Sequence, residues 1–381
     1  MSLGAMLLNL KKVLASGEKG ADQEKIMHEH GNLKKLIAGR AVNVHAHLLA
    51  NEWWKIPGAE GKELEAVFLE HEKRALAIFK HRSRDLPENK IAEYRERTIR
   101  QSKCRTLEDD AVYYLSEMDD AGIDLMVNLT MDNLPIPGAG GSRYDVTFEQ
   151  VLEENAVLRE KYPDRFVTFA GVDPRRGKEG VALLEKAVRE YGCIGVGEMI
   201  CTLWRTYPTD KKLMYPLLEK AAELGVPWMN DATMNYGFSQ PELFEQMAGD
   251  FPDLKICLGG TGAGVDPVSN PDGKSMPAHD RMLELAEEYE NIWLDLDDWQ
   301  SRDEAGIRTY LSFLNRALNG PAREKVMYGS DYPINAWMYS EKDWIETFFQ
   351  WAEREEITFS KEQLENFFSK NALHFLNLEN A

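Results

Sequence analysis

KEGVALLEKAVREYGCIGVGEMI (Lys178–Ile200) and KLMYPLLEKAAELGVPWMND (Lys212–Asp231) decide the fold. In each, a stretch with apolar residues three and four apart gives way to a short apolar run too brief for a helix. Lys178–Tyr191 and Lys212–Leu224 read as amphipathic helices, Ile194–Ile200 and Val226–Asp231 as buried strands. Gly225-Val226-Pro227 marks one junction, because glycine ends a helix and proline cannot continue it. Helix then strand, repeated, is the unit of a parallel sheet, since parallel neighbours need a crossover.

Working outward, six more short apolar runs appear: Ala41–His47, Ile123–Thr130, Phe166–Val172, Leu254–Gly259, Asn291–Asp297 and Lys325–Asp331. Helical periodicity also fills Pro241–Gly249 and Asp280–Tyr289. About eight strand–helix repeats favour an α/β fold of the closed (β/α)8 TIM-barrel type. A doubly wound open sheet would carry a glycine-rich phosphate loop after its first strand, and none follows here. The 381 residues fit a single barrel domain with two additions. Residues 1–40 read as a helical N-terminal segment, and residues 50–105 as a charged helical insertion containing His71, His81 and Arg82. An insertion after a barrel strand lies at the catalytic mouth, so this one either caps the site or forms a packing or dimer surface. Pro135–Asp145 is a glycine-rich loop, a lid or a plain surface loop.

Composition narrows the function. With 43% hydrophobic and 29% charged residues, the chain can build a large core and is not of the disordered class. A net charge of −19 argues against nucleic acid and anionic membrane surfaces, leaving a small-molecule substrate. Cys104, Cys193, Cys201 and Cys257 match no zinc or redox spacing, which points to a reduced, cytoplasmic setting. No apolar run approaches the roughly 20 residues that span a bilayer. MSLGAMLLNLKKVLAS at the N-terminus lacks the charged lead of a signal peptide. A homodimer is the expected assembly.

The chemistry begins at Val44-His45-Ala46-His47, the end of the first strand. Side chains two apart on a strand share a face, so both imidazoles can reach one ion. His28 and His30 have the same spacing in MHEH, but on a helix it does not align them. VMYGSDYP (Val326–Pro333) ends the last strand on Asp331. In a closed barrel the first and last strands are neighbours, so His45, His47 and Asp331 converge.

With those residues in view, the chain resembles the amidohydrolase superfamily, in the branch that contains aminocarboxymuconate-semialdehyde decarboxylase. The resemblance spans about residues 41–378 and rests on several motifs in order. They are NVHAHL (Asn43–Leu48), MDDAGIDLMV (Met118–Val127), YPDRFVTFAGVDP (Tyr162–Pro174), AAELGVPW (Ala221–Trp228), FPDLKICLGG (Phe251–Gly260), YGSDYP (Tyr328–Pro333) and KNALHFL (Lys370–Leu376). It implies that His45, His47 and Asp331 are metal ligands. The family usually has histidines ending strands five and six; here stand Asn230 and Asp231, and Gly260. The usual acidic residue before the first-strand pair is Asn43.

Carboxylates are the natural replacements. Asp231 offers an oxygen ligand from strand five, and Glu198 in IGVGEMI offers another from strand four. Such a site is harder, favouring manganese, magnesium or iron over zinc. One divalent ion is expected, Zn, Mn or Fe. Glu198, Asp231 and Asp331 are the candidate catalytic carboxylates, with Glu198 first as proton carrier because burial raises a carboxyl pKa; His81 and His279, read as loop histidines, are lesser candidates for that role. Arg205 in TLWRTYP, Arg143 and His279 are candidates for substrate binding, the arginines by bidentate clamping of a carboxylate. The implied activity is metal-dependent hydrolysis of a small carboxylated or aromatic molecule. Decarboxylation on the same fold, and a catalytically altered barrel that only binds its ligand, are the alternatives.

Overall fold

The computed structural model describes residues 32–48, 88–104, 106–132, 147–232, 237–262, 277–297, 304–333 and 339–379, with Lys73 and Leu76. Its parallel strands alternate with helices: β1 (Val42–Ala46), α1 (Glu88–Ser102), α2 (Leu107–Ala121), β2 (Leu125–Met131), α3 (Phe148–Lys161), β3 (Phe166–Gly171), α4 (Lys178–Arg189), β4 (Val196–Met199) and α5 (Tyr215–Leu224). Then follow β5 (Trp228–Asp231), α6 (Pro241–Asp250), β6 (Ile256–Gly259), α7 (Pro277–Glu288), β7 (Ile292–Asp295), α8 (Glu304–Asn319), β8 (Val326–Met327) and α9 (Glu341–Arg354). All eight strands expected from the sequence are present. The expected junction holds as well: Gly225 takes φ 67 and its N–H closes α5 onto the carbonyls of Ala221 and Ala222.

The ring is less regular than the expected closed barrel. Ladders join β1–β2–β3 into one sheet and β4 through β8 into another. At the first seam, Phe169 and Gly195 form a lone parallel bridge. There the Ala170 N–H donates to the Gly195 carbonyl at 3.0 Å, and a Cβ on Gly195 would come within 2.3 Å of the Phe169 ring. At the second seam, Ala46 bridges Tyr332, and the Val44, Ser330, Asp331 and His47 N–H groups make the remaining cross-links.

Two cores follow from strand alternation. Val42, Val44, Val127, Leu129, Phe169, Met229, Cys257, Trp293 and Met327 fill the barrel interior. Met126, Ala170, Trp228, Ile256, Leu258 and Leu294 face outward and pack with the helices. Ala372, Phe375 and Leu376, from the helix Asn371–Phe375 and the residue after it, join the interior cluster. A π-helical turn over Asn366–Lys370 precedes them, and the Phe367 carbonyl in it accepts the Tyr328 N–H at 3.2 Å. The Asn371 amide donates to the carbonyls of Arg323 (3.0 Å) and Val326 (2.8 Å), docking this segment on β8.

Of the N-terminal segment, a 3₁₀ turn over Leu33–Lys35 is described; residues 1–31, with His28 and His30, lie outside the described residues. The described helix of the insertion, α1, packs on its neighbours: Tyr94 donates to Asp343 of α9, and Arg97 pairs with Glu117 of α2 at 2.9 Å. His71, His81, Arg82 and the loop Pro135–Asp145 lie outside the described residues. Among the described residues no helix is long and apolar enough to cross a membrane.

Asn371→Ala leaves the buried carbonyl of Val326 and the part-buried carbonyl of Arg323 without this donor. Urea denaturation should show a loss of about 1–3 kcal/mol, and an unchanged midpoint would mean the amide does not hold the segment on β8.

Candidate metal centre

Irregular backbone aims the site residues. In β1, Val42 and Val44 line the interior while Asn43 faces the helices, contacting Tyr114 of α2 and Glu341 of α9. Strict alternation would put His45 on the Asn43 side. The pairing with β2 shifts register between Asn43 and Ala46, and His45 turns inward instead, to Asp295 on β7. Shifts of this kind re-aim side chains at barrel rims. β4 has a second shift, between Val196 and Met199, around Glu198. Asp331 sits at φ 49, a left-handed conformation uncommon outside glycine.

His45 and His47 present their Nε2 atoms to each other at 3.2 Å. Both Nδ1 atoms face oxygen acceptors: Asp295 Oδ2 lies 2.7 Å from His45, and the Leu129 carbonyl 2.9 Å from His47. An acceptor on Nδ1 keeps the proton there and leaves the Nε2 lone pair free. Two such lone pairs repel at this distance unless a cation, a proton or a metal, lies between them. Nitrogen donors about 2.1 Å from an ion and at right angles to one another lie about 3 Å apart. The pair therefore fits a metal.

Carboxylates complete the set. Glu198 Oε2 lies 3.3 Å from His47 Nε2 and 3.7 Å from His45 Nε2. Asp331 Oδ1 lies 3.6 Å from His47 Nε2, and His45, His47 and Asp331 offer ligand atoms all within 4.8 Å of one another. All four side chains are buried, none more than 8% exposed. Burial pulls the His45 pKa down, but Asp297, Glu198 and Asp295 outweigh it and hold the imidazole well above its ordinary value. Burial pushes Glu198 up, as expected from sequence, yet the charges and hydrogen bonds of His45 and His47 prevail and bring it to about 2. Glu198 is thus ionised near neutrality, which suits a ligand better than a proton donor.

Two further carboxylates escaped the sequence reading. Asp295 and Asp297 face the same imidazole, Asp297 Oδ2 at 3.4 Å from His45 Nδ1, and these three residues form a second group of potential ligands. Burial lifts the Asp295 carboxyl above its ordinary value, against the pull of His45. The signal was present in WLDLD: Trp293, Asp295 and Asp297 follow the same two-residue period as the histidines, and Trp293 lines the interior. Glycines make room for the contact. A Cβ on Gly329 would come 2.2 Å from Asp295 Oδ1 and 2.7 Å from His45 Cβ. A Cβ on Gly259, at the end of β6, would lie 3.3 Å from His45 Cε1.

The remaining expectations divide. Asp231 is buried at the end of β5, two residues after the interior-facing Met229, but it belongs to neither ligand group. His279 is not in a loop: it lies in α7, buried, with its ring edge-on to Phe313 of α8. Burial and nearby Arg316 push its pKa down to about 3. Arg205 is exposed, ending a one-turn helix (Cys201–Trp204) after β4 in a left-handed conformation. Arg143 lies outside the described residues. The described arginines closest to carboxylates at this end are Arg175 and Arg176, after β3, which pair with the buried Asp173 and Asp132.

A family model described as amidohydrolase matches residues 42–378. No functionally curated protein matches the chain. Solved structures match in fold. A TIM-barrel protein from Bordetella bronchiseptica is 15% identical, with TM-score 0.52, covering 88% of this chain and 99% of its own. The 5-carboxyvanillate decarboxylase of Novosphingobium aromaticivorans, solved with manganese and 4-hydroxy-3-methoxy-5-nitrobenzoic acid, is 14% identical, with TM-score 0.53, covering 92% and 99%. A probable 2-pyrone-4,6-dicarboxylic acid hydrolase from Acinetobacter baumannii, solved with citric acid, is 14% identical, with TM-score 0.52, covering 89% and 99%.

Gly329→Ala should force Asp295 off His45 and weaken Mn²⁺ binding by roughly tenfold or more in a calorimetric titration. Unaltered affinity would mean that Asp295 does not orient the ring. His279 gives a pH test. Unfolded, it titrates near 6.5, and folded near 3. The unfolded chain therefore binds a proton that the folded chain refuses, and stability drains as pH falls between those values. His279→Gln should flatten that limb of the acid-unfolding curve.

Proposed function

Since the chain belongs to the amidohydrolase family, we propose that it is a metal-dependent hydrolase of a small carboxylated or aromatic substrate. One divalent ion would be held by His45, His47, Glu198 and Asp331. The observation that carries this is the 3.2 Å approach of two imidazole nitrogens whose partner nitrogens face oxygen acceptors. With two nitrogen donors and two carboxylates, the set favours Mn²⁺ or Fe²⁺ over Zn²⁺. When bound, such an ion polarises a substrate oxygen and lowers the pKa of water towards neutrality.

The side chains then divide the work. His45 is oriented by Asp295 and His47 by the Leu129 carbonyl, so both present Nε2 without reorganising. Glu198, ionised down to about pH 2, supplies an oxygen donor. Proton transfer falls to Asp331, the most exposed of the four at 8%, whose N–H is anchored on the His45 carbonyl at 3.0 Å. As an acceptor it takes the proton of the attacking water and returns it to the leaving group. Asp231 is the second candidate for that step. A carboxylate acting as proton acceptor suits hydrolysis, in which a proton must leave the attacking water. Decarboxylation needs a proton delivered to carbon; the fold likeness to 5-carboxyvanillate decarboxylase favours keeping it as the second reading.

Elemental analysis of protein purified without chelators should give about one divalent ion per chain, lost in the His45→Ala/His47→Ala double variant. Asp331→Asn keeps the shape and should abolish turnover. Glu198→Gln should lose metal; full metal with turnover lowered about 10²–10⁴-fold would make Glu198 the proton carrier instead. With Mn²⁺ present, lactones and amides of aromatic or dicarboxylic acids should release acid. Release of CO₂ from hydroxylated benzoic acids would establish the second reading. Full metal without turnover of either panel would leave a binding protein.

A further inference from the structure

Directly behind the metal ligands lies a buried polar network that the proposed chemistry does not use. It joins Asn43 of β1, Tyr114 of α2, Tyr328 and Ser330 after β8, and Glu341, the first residue of α9; none is more than 6% exposed. The Asn43 side-chain oxygen accepts the N–H of His45 at 3.0 Å and the N–H of Ser330 at 3.2 Å. Its amide nitrogen faces the Tyr114 hydroxyl at 2.6 Å, Ser330 Oγ at 2.7 Å and Glu341 Oε1 at 3.1 Å. Glu341 also accepts the hydroxyls of Tyr114 and Tyr328.

The placement has a mechanical meaning. His45 stands on one side of the β8–β1 seam and Asp331 on the other, and that seam has a lone bridge instead of a ladder. One oxygen atom of Asn43 ties the N–H of the first ligand to the N–H of the residue just before the second. The amide orientation is forced, because two N–H donors meet its oxygen and a carboxylate meets its nitrogen. Asp331 also holds φ 49, a left-handed conformation that a non-glycine residue keeps only where its surroundings impose it.

We propose that Asn43 and Glu341 are positioning residues for the metal centre, an amide–carboxylate pair that sets the spacing of His45 and Asp331 across the seam. This rests on the metal reading above. An aspartate at 43 would keep both N–H acceptances but turn a second carboxylate towards Glu341 at about the same 3.1 Å separation, leaving the Tyr114 and Ser330 hydroxyls to serve two carboxylates in place of one. A glutamine at 341 would return the missing donor from the opposite side. The pair is therefore swappable, which a purely space-filling role would not be.

The test is Mn²⁺ affinity by calorimetry, with melting temperature of the metal-free protein recorded in parallel. Asn43→Asp should weaken binding by roughly 10- to 100-fold, and Asn43→Asp/Glu341→Gln should restore it. A folded Asn43→Asp protein that binds Mn²⁺ like the wild type, whatever its melting temperature, overturns the proposal. So does a folded double variant that binds no better than Asn43→Asp. Should Asn43→Asp not fold, Tyr328→Phe removes one donor from Glu341 without touching a ligand; it must weaken Mn²⁺ binding, and unchanged binding overturns the proposal. Wild-type protein that takes up no Mn²⁺ refutes the metal reading itself and this proposal with it.

Discussion

A single hydrogen bond, 2.7 Å between His45 Nδ1 and Asp295, organises the mouth of this barrel. It passes over Gly329, which has no Cβ because one would strike both partners. It fixes the proton on Nδ1 and therefore turns the Nε2 lone pair towards His47. Given that choice, the neighbours have little freedom: the second imidazole must be oriented the same way, and the facing lone pairs need positive charge between them. Glu198 and Asp331 supply the countercharge from β4 and the end of β8.

The electrostatics of the site are those of a crowd. Burial disfavours every charged form in it, yet its members do not shift alike. Asp295 rises because burial outweighs the pull of His45 and His47, whereas Glu198 falls because hydrogen bonds and charge from both imidazoles prevail over burial. Similar carboxylates a few ångströms apart are thus driven to different tasks, one as an orienting acceptor and one as a permanent anion. On the proposed reading, that separation leaves Glu198 as a ligand and gives the proton-carrying role to the mouth-facing Asp331.

Much of this was legible in the sequence, and the gaps have physical causes. Strand and helix periodicity located all eight strands because each is buried on both faces and bounded by helices. The histidine pair was singled out from its spacing, although the regular alternation behind that inference would have turned His45 outward; the register shift, invisible in sequence, turns it back towards His47. The last strand was expected to run to Asp331 but keeps ladder pairing only at Val326 and Met327, because the chain leaves β geometry to present that carboxylate. Asp295 and Asp297 were passed over because WLDLD looks like a strand running into a turn. His279 looked like a loop residue because its helix begins two residues earlier, after a segment of weak pattern. The Glu198 pKa went the other way because burial can be guessed from a strand end, whereas partners from other strands cannot.

The segment Asn366–Leu376 seats the barrel's last strand and fills its floor, and it has a consequence for assembly. Asn43 and Glu341 are 298 positions apart, and Tyr328 takes its N–H partner from Phe367. The ring therefore cannot close on the ribosome until well over three hundred residues have emerged. Its first strand must wait meanwhile for Asp331, the last of the carboxylates that face its imidazoles. Contacts of such high sequence separation are slow to form, so the cation-binding pocket is the last feature to mature. Until then the edges of the growing sheet are unpaired, the condition under which strand edges are most exposed to wrong pairing.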